Sequence, residues 1–179
     1  MKALVVIADG IEELETVTIT DLLVRGGIQV TLASVNGLQV TAARGLKLTA
    51  DDAITGISDD FDVVICPGGN LGAQNLAACE TLKSLLAARH QKRQWIAAIC
   101  ASPAVVLEPW GILDGRGATC FPALEHELVD YRDLPVVVDG HIITSQGPAT
   151  SAQFALTIVQ KLQGDAVAKD VAKNALYRF

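Results

Sequence analysis

The chain has 179 residues, half of them apolar and 19% charged, with four cysteines and a formal net charge of −6. That length and apolar share can bury a core without metals or disulfides, and they exclude a disordered or fibrous chain. The acidic balance, with no basic run beyond the scattered Arg89, Lys92 and Arg93, leaves no electrostatic footprint for nucleic acid.

Residues 2–8 read as a buried first strand, apolar after Lys2 and closed by the turn pair Asp9-Gly10. This stretch is too short for a signal core, and no apolar run in the chain is long enough for a bilayer, so the expectation is a cytoplasmic protein with no membrane partner. Residues 11–25 open with Glu12, Glu13 and Glu15, which suit the positive end of a helix, and stop at Gly26-Gly27. Residues 16–20 are all β-branched, which weakens helix propensity; a helix is still expected, because two parallel strands need a crossover. A second strand covers 28–34. After the Asn36-Gly37 turn, 38–42 and 46–49 alternate as an edge excursion, and 51–60 read as a loop or short helix.

The apolar run 61–66 is the next strand, and it empties into Pro67-Gly68-Gly69-Asn70. Two glycines just past a buried strand let backbone N–H groups approach a ligand; a simple tight turn is the other reading. Residues 80–93 form the clearest helix, with Leu82, Leu85, Leu86 and Arg89 at helical spacing and Lys83, Arg89 and Lys92 on its polar face. His90 falls in its exposed last turn and is assigned no catalytic role.

Residues 94–99 then make a short strand, and Ser102-Pro103 opens a helix, so Cys100 sits on the elbow between them. The neighbours two before and two after, Ala98 and Ser102, are small, as so sharp a turn requires. A thiol at a helix N-terminus faces unpaired N–H groups, which predicts a lowered pKa. A buried cysteine filling a small hole is the other reading. Parallel strands put their carboxyl ends together, so the Gly68-Gly69 loop and Cys100 open on one edge of the sheet. Cys66, Cys79 and Cys120 form no Cys-x-x-C pattern or zinc spacing with Cys100 and read as free structural thiols.

Further on, 117–120 read as a short strand, followed by Phe121-Pro122 and an acidic stretch containing His126. Residues 136–144 read as a hairpin across Asp139-Gly140, and 151–162 and 165–177 as helices. With no linker or repeat, the chain reads as a single domain over 1–179.

Four stretches together resemble the ThiJ/PfpI superfamily, within it the branch of the parkinsonism-associated deglycase and bacterial YajL. They are Gly10-Ile11-Glu12-Glu13-Leu14-Glu15, Pro67-Gly68-Gly69-Asn70-Leu71-Gly72-Ala73, Ala97-Ala98-Ile99-Cys100-Ala101-Ser102-Pro103 and Thr144-Ser145-Gln146-Gly147-Pro148. The resemblance implies an α/β, flavodoxin-like three-layer sandwich with a mostly parallel central sheet, assembling as a homodimer. It implies Cys100 as an oxidation-sensitive nucleophile and Glu15 as the carboxyl beside it. In an apolar pocket such a carboxyl is pushed toward its protonated form and donates to sulfur. Backbone groups of Gly68, Gly69 and Ala101 would form an oxyanion pocket, with Glu12, Ser102, Phe121, Gln146 and Pro148 around it.

The implied function is a cofactor-free and metal-free attack by Cys100 on reactive aldehydes, or on early glyoxal adducts of protein or nucleotide, as a glyoxalase or deglycase. The alternative is a redox sensor and chaperone in which Cys100 is oxidised to sulfinate. Relatives that place a histidine beside the nucleophile differ from this chain, which has Ala101 and Phe121 at those positions. His126 and His141 read as surface residues, so a cysteine peptidase is the weakest reading. Gln146 stands where some relatives carry arginine, which argues against a strong anion site there.

Overall fold

The computed structural model describes residues 1–178. Its central strands are short aliphatic runs, a pattern that suits a sheet covered on both faces. In β1 (Lys2–Ile7) every residue after Lys2 is fully buried, as is all of β6 (Val63–Cys66). With β2 (Gln29–Ser34), β5 (Asp52–Ala53), β7 (Trp95–Ile99), β8 (Val136–Asp139) and β9 (Ile142–Ser145) they form one seven-stranded sheet in the order β5-β2-β1-β6-β7-β9-β8. All neighbours are parallel except β8, which turns back on β9 across Asp139-Gly140. Cys66 lies opposite Ala98, and Ile99 opposite Ser145, so the carboxyl ends of β6, β7 and β9 come level. That edge carries the site.

Helices α1 (Glu13–Arg25), α4 (Ser151–Gln163) and α5 (Asp165–Asn174) pack together in one layer. In the other, α2 (Asn70–Ala77) packs against α3 (Glu80–Gln91) and against the turn that follows Cys100. Helix α1 forms through its β-branched stretch because Thr16 and Ile19 are buried, and the hydroxyls of Thr16 and Thr20 donate back to the carbonyls of Glu12 and Thr16. Burial decides here over propensity. The excursion after β2 is a separate two-stranded hairpin, β3 (Gln39–Thr41) and β4 (Lys47–Thr49).

Several expectations are corrected. Helix α2 was not anticipated, because Gly72 and Asn75 blur an eight-residue pattern whose buried face is Gly72, Ala73 and Leu76. Residues 117–120 form no strand. Ala118 makes one isolated bridge to Tyr131, while Thr119 N–H donates to Thr144 Oγ1 at 3.0 Å and Phe121 N–H to the Cys100 carbonyl at 2.7 Å. The segment is thus bonded to the elbow and β9 instead of laddering. The elbow also opens no α-helix: Pro103–Leu107 is a five-residue π-type turn, closed by Glu108 N–H on the Pro103 carbonyl at 2.9 Å.

Arg89 is not on a solvated face but has no exposed surface at all. Its guanidinium pairs with Asp59 and donates to the carbonyls of Phe61 (3.0 Å), Asp62 (3.1 Å) and Trp95 (3.1 Å). Five donors in a planar fork allow one side chain to tie the starts of β6 and β7 together. His141 is likewise buried, its Nε2 3.2 Å from Nδ1 of a partly buried His90. Burial first, then Arg116, pushes the His141 imidazole down to about 4, so it is neutral at physiological pH. His126 is exposed as expected.

Candidate active site

Cys100 ends β7 with φ of 64°, a left-handed conformation that costs a side-chain-bearing residue on the order of 1–3 kcal/mol. The surroundings hold it there. Its N–H donates to the Ser145 carbonyl at 3.0 Å, and its carbonyl accepts the Phe121 N–H. Ser102 is fully buried and donates its hydroxyl to the Pro67 carbonyl at 2.5 Å. It therefore fastens the elbow to the glycine loop and does not line the cleft.

The two glycines divide the work. A Cβ on Gly68 would lie 2.5 Å from Cys100 Cβ and 3.0 Å from Sγ, so only glycine lets the loop lie against the sulfur. The Gly68 N–H, however, is spent on Glu15 Oε2 at 2.7 Å, which removes it from the expected oxyanion set. The backbone N–H groups of Gly69, with φ of 90°, and of Ala101 lie beside the Cys100 sulfur and favour its thiolate. Those two donors are the pair that an adduct oxygen or an oxidised sulfur would meet.

Glu15 reaches this point from the first turn of α1 and is fully buried beneath the sulfur. Burial, more than any charge, pushes its carboxyl up from 4.5 to about 7; the Gly68 and Cys100 contacts pull the other way. Its second oxygen, Oε1, has no hydrogen-bond partner. A buried oxygen of that kind is satisfied when it carries the proton and points it at sulfur.

The lowered thiol pKa expected at the elbow is not what the structure gives. Burial first, and the Glu15 charge second, push Cys100 up to about 12 against the two backbone donors. A five-residue turn supplies little of the dipole that a full helix would bring. The pair thus loses its first proton near neutrality and keeps the second, which carboxyl and thiol share. The reacting form is the one in which it rests on the carboxyl and the sulfur is a thiolate.

Above the sulfur opens a cleft of about 610 Å³. Cys100, Gly69, Ala101, Phe121 and Pro148 all line it. Glu12 stands at the mouth while also capping α1 through Leu14 N–H at 3.3 Å. Gln146 does not enter the cleft: its Nε2 donates to Asp133 Oδ1 at 2.9 Å, on the far side of β9 from the sulfur.

Sequence reasoning missed the lid of this cleft. Thr41, Ala42, Ala43 and Arg44, in the hairpin read as a mere edge excursion, line it. Gly10 N–H donates to the Thr41 carbonyl and Ala43 N–H to the Ile11 carbonyl, both at 2.8 Å, pinning the hairpin over the site. The Arg44 guanidinium lies 3.8 Å from Glu12 Oε2. No local pattern marks those residues; only the long-range bonds do. Among the described residues no group of three or more His, Cys, Asp or Glu is placed to hold a metal ion, and no helix is long and apolar enough to cross a membrane.

A cysteine on a strained elbow, backed by a buried carboxyl at the carboxyl edge of a parallel sheet, defines an α/β protein built around one candidate nucleophile. The sequence matches the DJ-1/PfpI family over residues 1–161, and the chain belongs to that family. It is 42% identical to Protein DJ-1 homolog B of Arabidopsis thaliana over 98% of this chain, yet it spans only 41% of that protein and 46% of homolog A. It is 37% identical to the Caenorhabditis elegans protein named glutathione-independent glyoxalase DJR-1.2, covering 86% of this chain and 83% of that one. The solved structure of oxidised Toxoplasma gondii DJ-1 superposes with a TM-score of 0.97 at 35% identity, covering 99% of both chains.

Proposed function

We propose that the chain is a cofactor-independent enzyme of reactive carbonyls, acting on methylglyoxal-type aldehydes or on early glyoxal adducts of protein or nucleotide. The observation that carries this reading is the Cys100 sulfur on the floor of an open cleft, with two backbone N–H groups beside it and a proton-bearing Glu15 behind it. The glyoxalase name of the nematode relative supports it. Sulfur adds to the aldehyde carbon as the C=O π pair moves to oxygen, which takes the Glu15 proton to give a thiohemiacetal. Glu15, now a carboxylate, removes the carbon-bound hydrogen and returns it to the neighbouring carbon, while the hydroxyl proton on the first carbon passes to the former ketone oxygen, leaving a thioester. Water releases a 2-hydroxy acid and restores the thiol. The aldehyde carbon is oxidised and the ketone carbon reduced within one molecule, so no redox partner is consumed.

The test is aldehyde consumption by Cys100→Ala in metal-free, amine-free buffer. Loss to the uncatalysed background is expected, and undiminished consumption rules the mechanism out.

A second reading, a redox sensor and chaperone, is favoured by one observation. The Glu15 Oε1, buried without a hydrogen-bond partner near the sulfur, would supply a donor to a sulfinate oxygen when protonated. Intact mass after mild peroxide distinguishes it, with two oxygens gained at Cys100 alone. A homodimer belongs to either reading. Leu14, Val17 and Val24 leave an apolar row on α1 about half exposed, a surface that a second copy would cover. Sedimentation equilibrium is expected to give twice the chain mass, and a monomer at micromolar concentration rules the dimer out.

A further inference from the structure

Two large apolar side chains flank the approach to Cys100, and neither serves the fold as a buried residue. Phe121 is 43% exposed and Leu71 is 55% exposed, both lining the cleft. Each is nevertheless held in place. The Phe121 N–H donates to the carbonyl of Cys100 itself at 2.7 Å, and its ring edge lies where a Cβ on Gly147 would be 3.5 Å away. Leu71 occupies the first turn of α2 and lies over Gly10, where a Cβ would be only 2.6 Å from Leu71 Cβ. An aromatic face and a branched aliphatic side chain thus stand as fixed walls, presenting apolar surface to water at the one place where a ligand must pass.

Two charged groups at the mouth already face partners. Arg44 faces Glu12 across 3.8 Å, and Asp9 Oδ1 accepts the Thr41 N–H at 2.8 Å. Among the described residues Arg44 is the one cation lining the cleft, and the Glu12 carboxylate beside it offsets its pull on a carboxylate or phosphate tail. The cleft volume of about 610 Å³ lies within the range of pockets that bury drug-sized ligands, far more than a three-carbon aldehyde fills.

We infer that the cleft selects 2-oxoaldehydes whose ketone carbon carries an apolar, aryl-sized substituent, seated between Phe121 and Leu71 while the aldehyde meets Cys100. This rests on the carbonyl reading above and adds to it the substrate class. The chemistry is unchanged: phenylglyoxal and water give mandelate, with no other reactant. A flat ring against Phe121 gains the stacked or edge-to-face contact that a methyl group cannot make. The substituent is bonded to the ketone carbon and sets its intrinsic reactivity in wild type and variants alike. Its contact with the two walls is made equally in ground and transition states, so the loss of a wall falls on KM.

The test compares kcat/KM for phenylglyoxal and methylglyoxal in amine-free buffer. The Cys100→Ala protein supplies the background, which also corrects for arginine modification by phenylglyoxal. The wild type is expected to favour phenylglyoxal about tenfold. Phe121→Ala and Leu71→Ala each lower that ratio about fivefold through a higher KM for phenylglyoxal, while Phe121→Tyr, which keeps the ring, preserves it. Matching circular dichroism spectra establish that the variants are folded. A wild-type ratio near one, or a ratio unmoved in both alanine variants, overturns this inference while leaving the carbonyl reading standing. Consumption of neither aldehyde above background overturns both together.

Discussion

Glu15→Gln is expected to lower aldehyde turnover by about 10²- to 10⁴-fold, the usual loss when a positioned acid–base group is removed. The amide keeps the size of the carboxyl and can still accept the Gly68 N–H, so the loop geometry survives while the proton relay does not. Stability moves the other way. In the folded wild type the Glu15 carboxyl is raised to about 7 by burial, from 4.5. Below about 4.5 it is protonated folded and unfolded alike, and no penalty arises. Between 4.5 and 7 the unfolded chain binds fewer protons than the folded one, so stability falls as pH rises. Above 7 the full loss is reached, about 3 kcal/mol for a shift of this size.

The glutamine variant carries no such dependence. Urea unfolding at pH 5 and pH 8 should therefore show the variant gaining on the wild type by roughly that amount at the higher pH. Turnover in the wild type should also rise with pH through neutrality as the pair gives up its first proton, and the rise should vanish in the variant. Unchanged turnover in Glu15→Gln would remove Glu15 from the chemistry. A pH-independent stability difference would show that the carboxyl is ionised at all pH values tested.

Arg89→Met is expected to cost about 3–5 kcal/mol of unfolding free energy, because it removes one partner of a buried ion pair and strands the others. Three carbonyls and the Asp59 carboxylate lose their donor at once, and methionine replaces only the volume. Asp59→Asn is the comparison. The amide oxygen can still accept from Arg89 and the three carbonyls keep their donor, so this change should cost less than Arg89→Met. The urea midpoint should fall with an unchanged m-value. Since the clamp joins the starts of β6 and β7, whose other ends carry the glycine loop and the elbow, a loss below about 1 kcal/mol would mean that the two strands hold their register without it.

Much of this molecule is legible in its residues, for reasons that can be named. The runs 2–7 and 63–66 announce buried strands because a sheet covered on both faces tolerates no polar interruption. The Asp139-Gly140 hairpin follows from turn chemistry alone. The elbow is legible in an apolar run that ends at Cys100 and is followed by Ser102-Pro103, with small residues on either side, and the resemblance to a family implies Glu15 beside it. Where reading failed, the cause was contact over long sequence distances. Arg89 looks like a solvated residue until Asp59 and three carbonyls surround it. His141 looks like a surface residue until His90 meets it. Residues 117–120 have a strand's composition, but their hydrogen bonds go to the Asp139 and Thr144 side chains and to the backbone at Asp130 and Arg132, so no ladder forms.

The sequence by itself determined the alternation of strand and helix, the edge on which both loops open, and the one thiol placed at a sharp turn. These are local matters, set by side-chain period, turn residues and the direction of parallel strands. Only the tertiary structure decided how far the sulfur and carboxyl hold their protons, which glycine N–H faces the sulfur, and that a distant hairpin roofs the cleft. Each of those depends on desolvation or on bonds between residues far apart in the chain. How far a polar group is desolvated, and which distant residue meets it, are not written in the order of neighbouring residues.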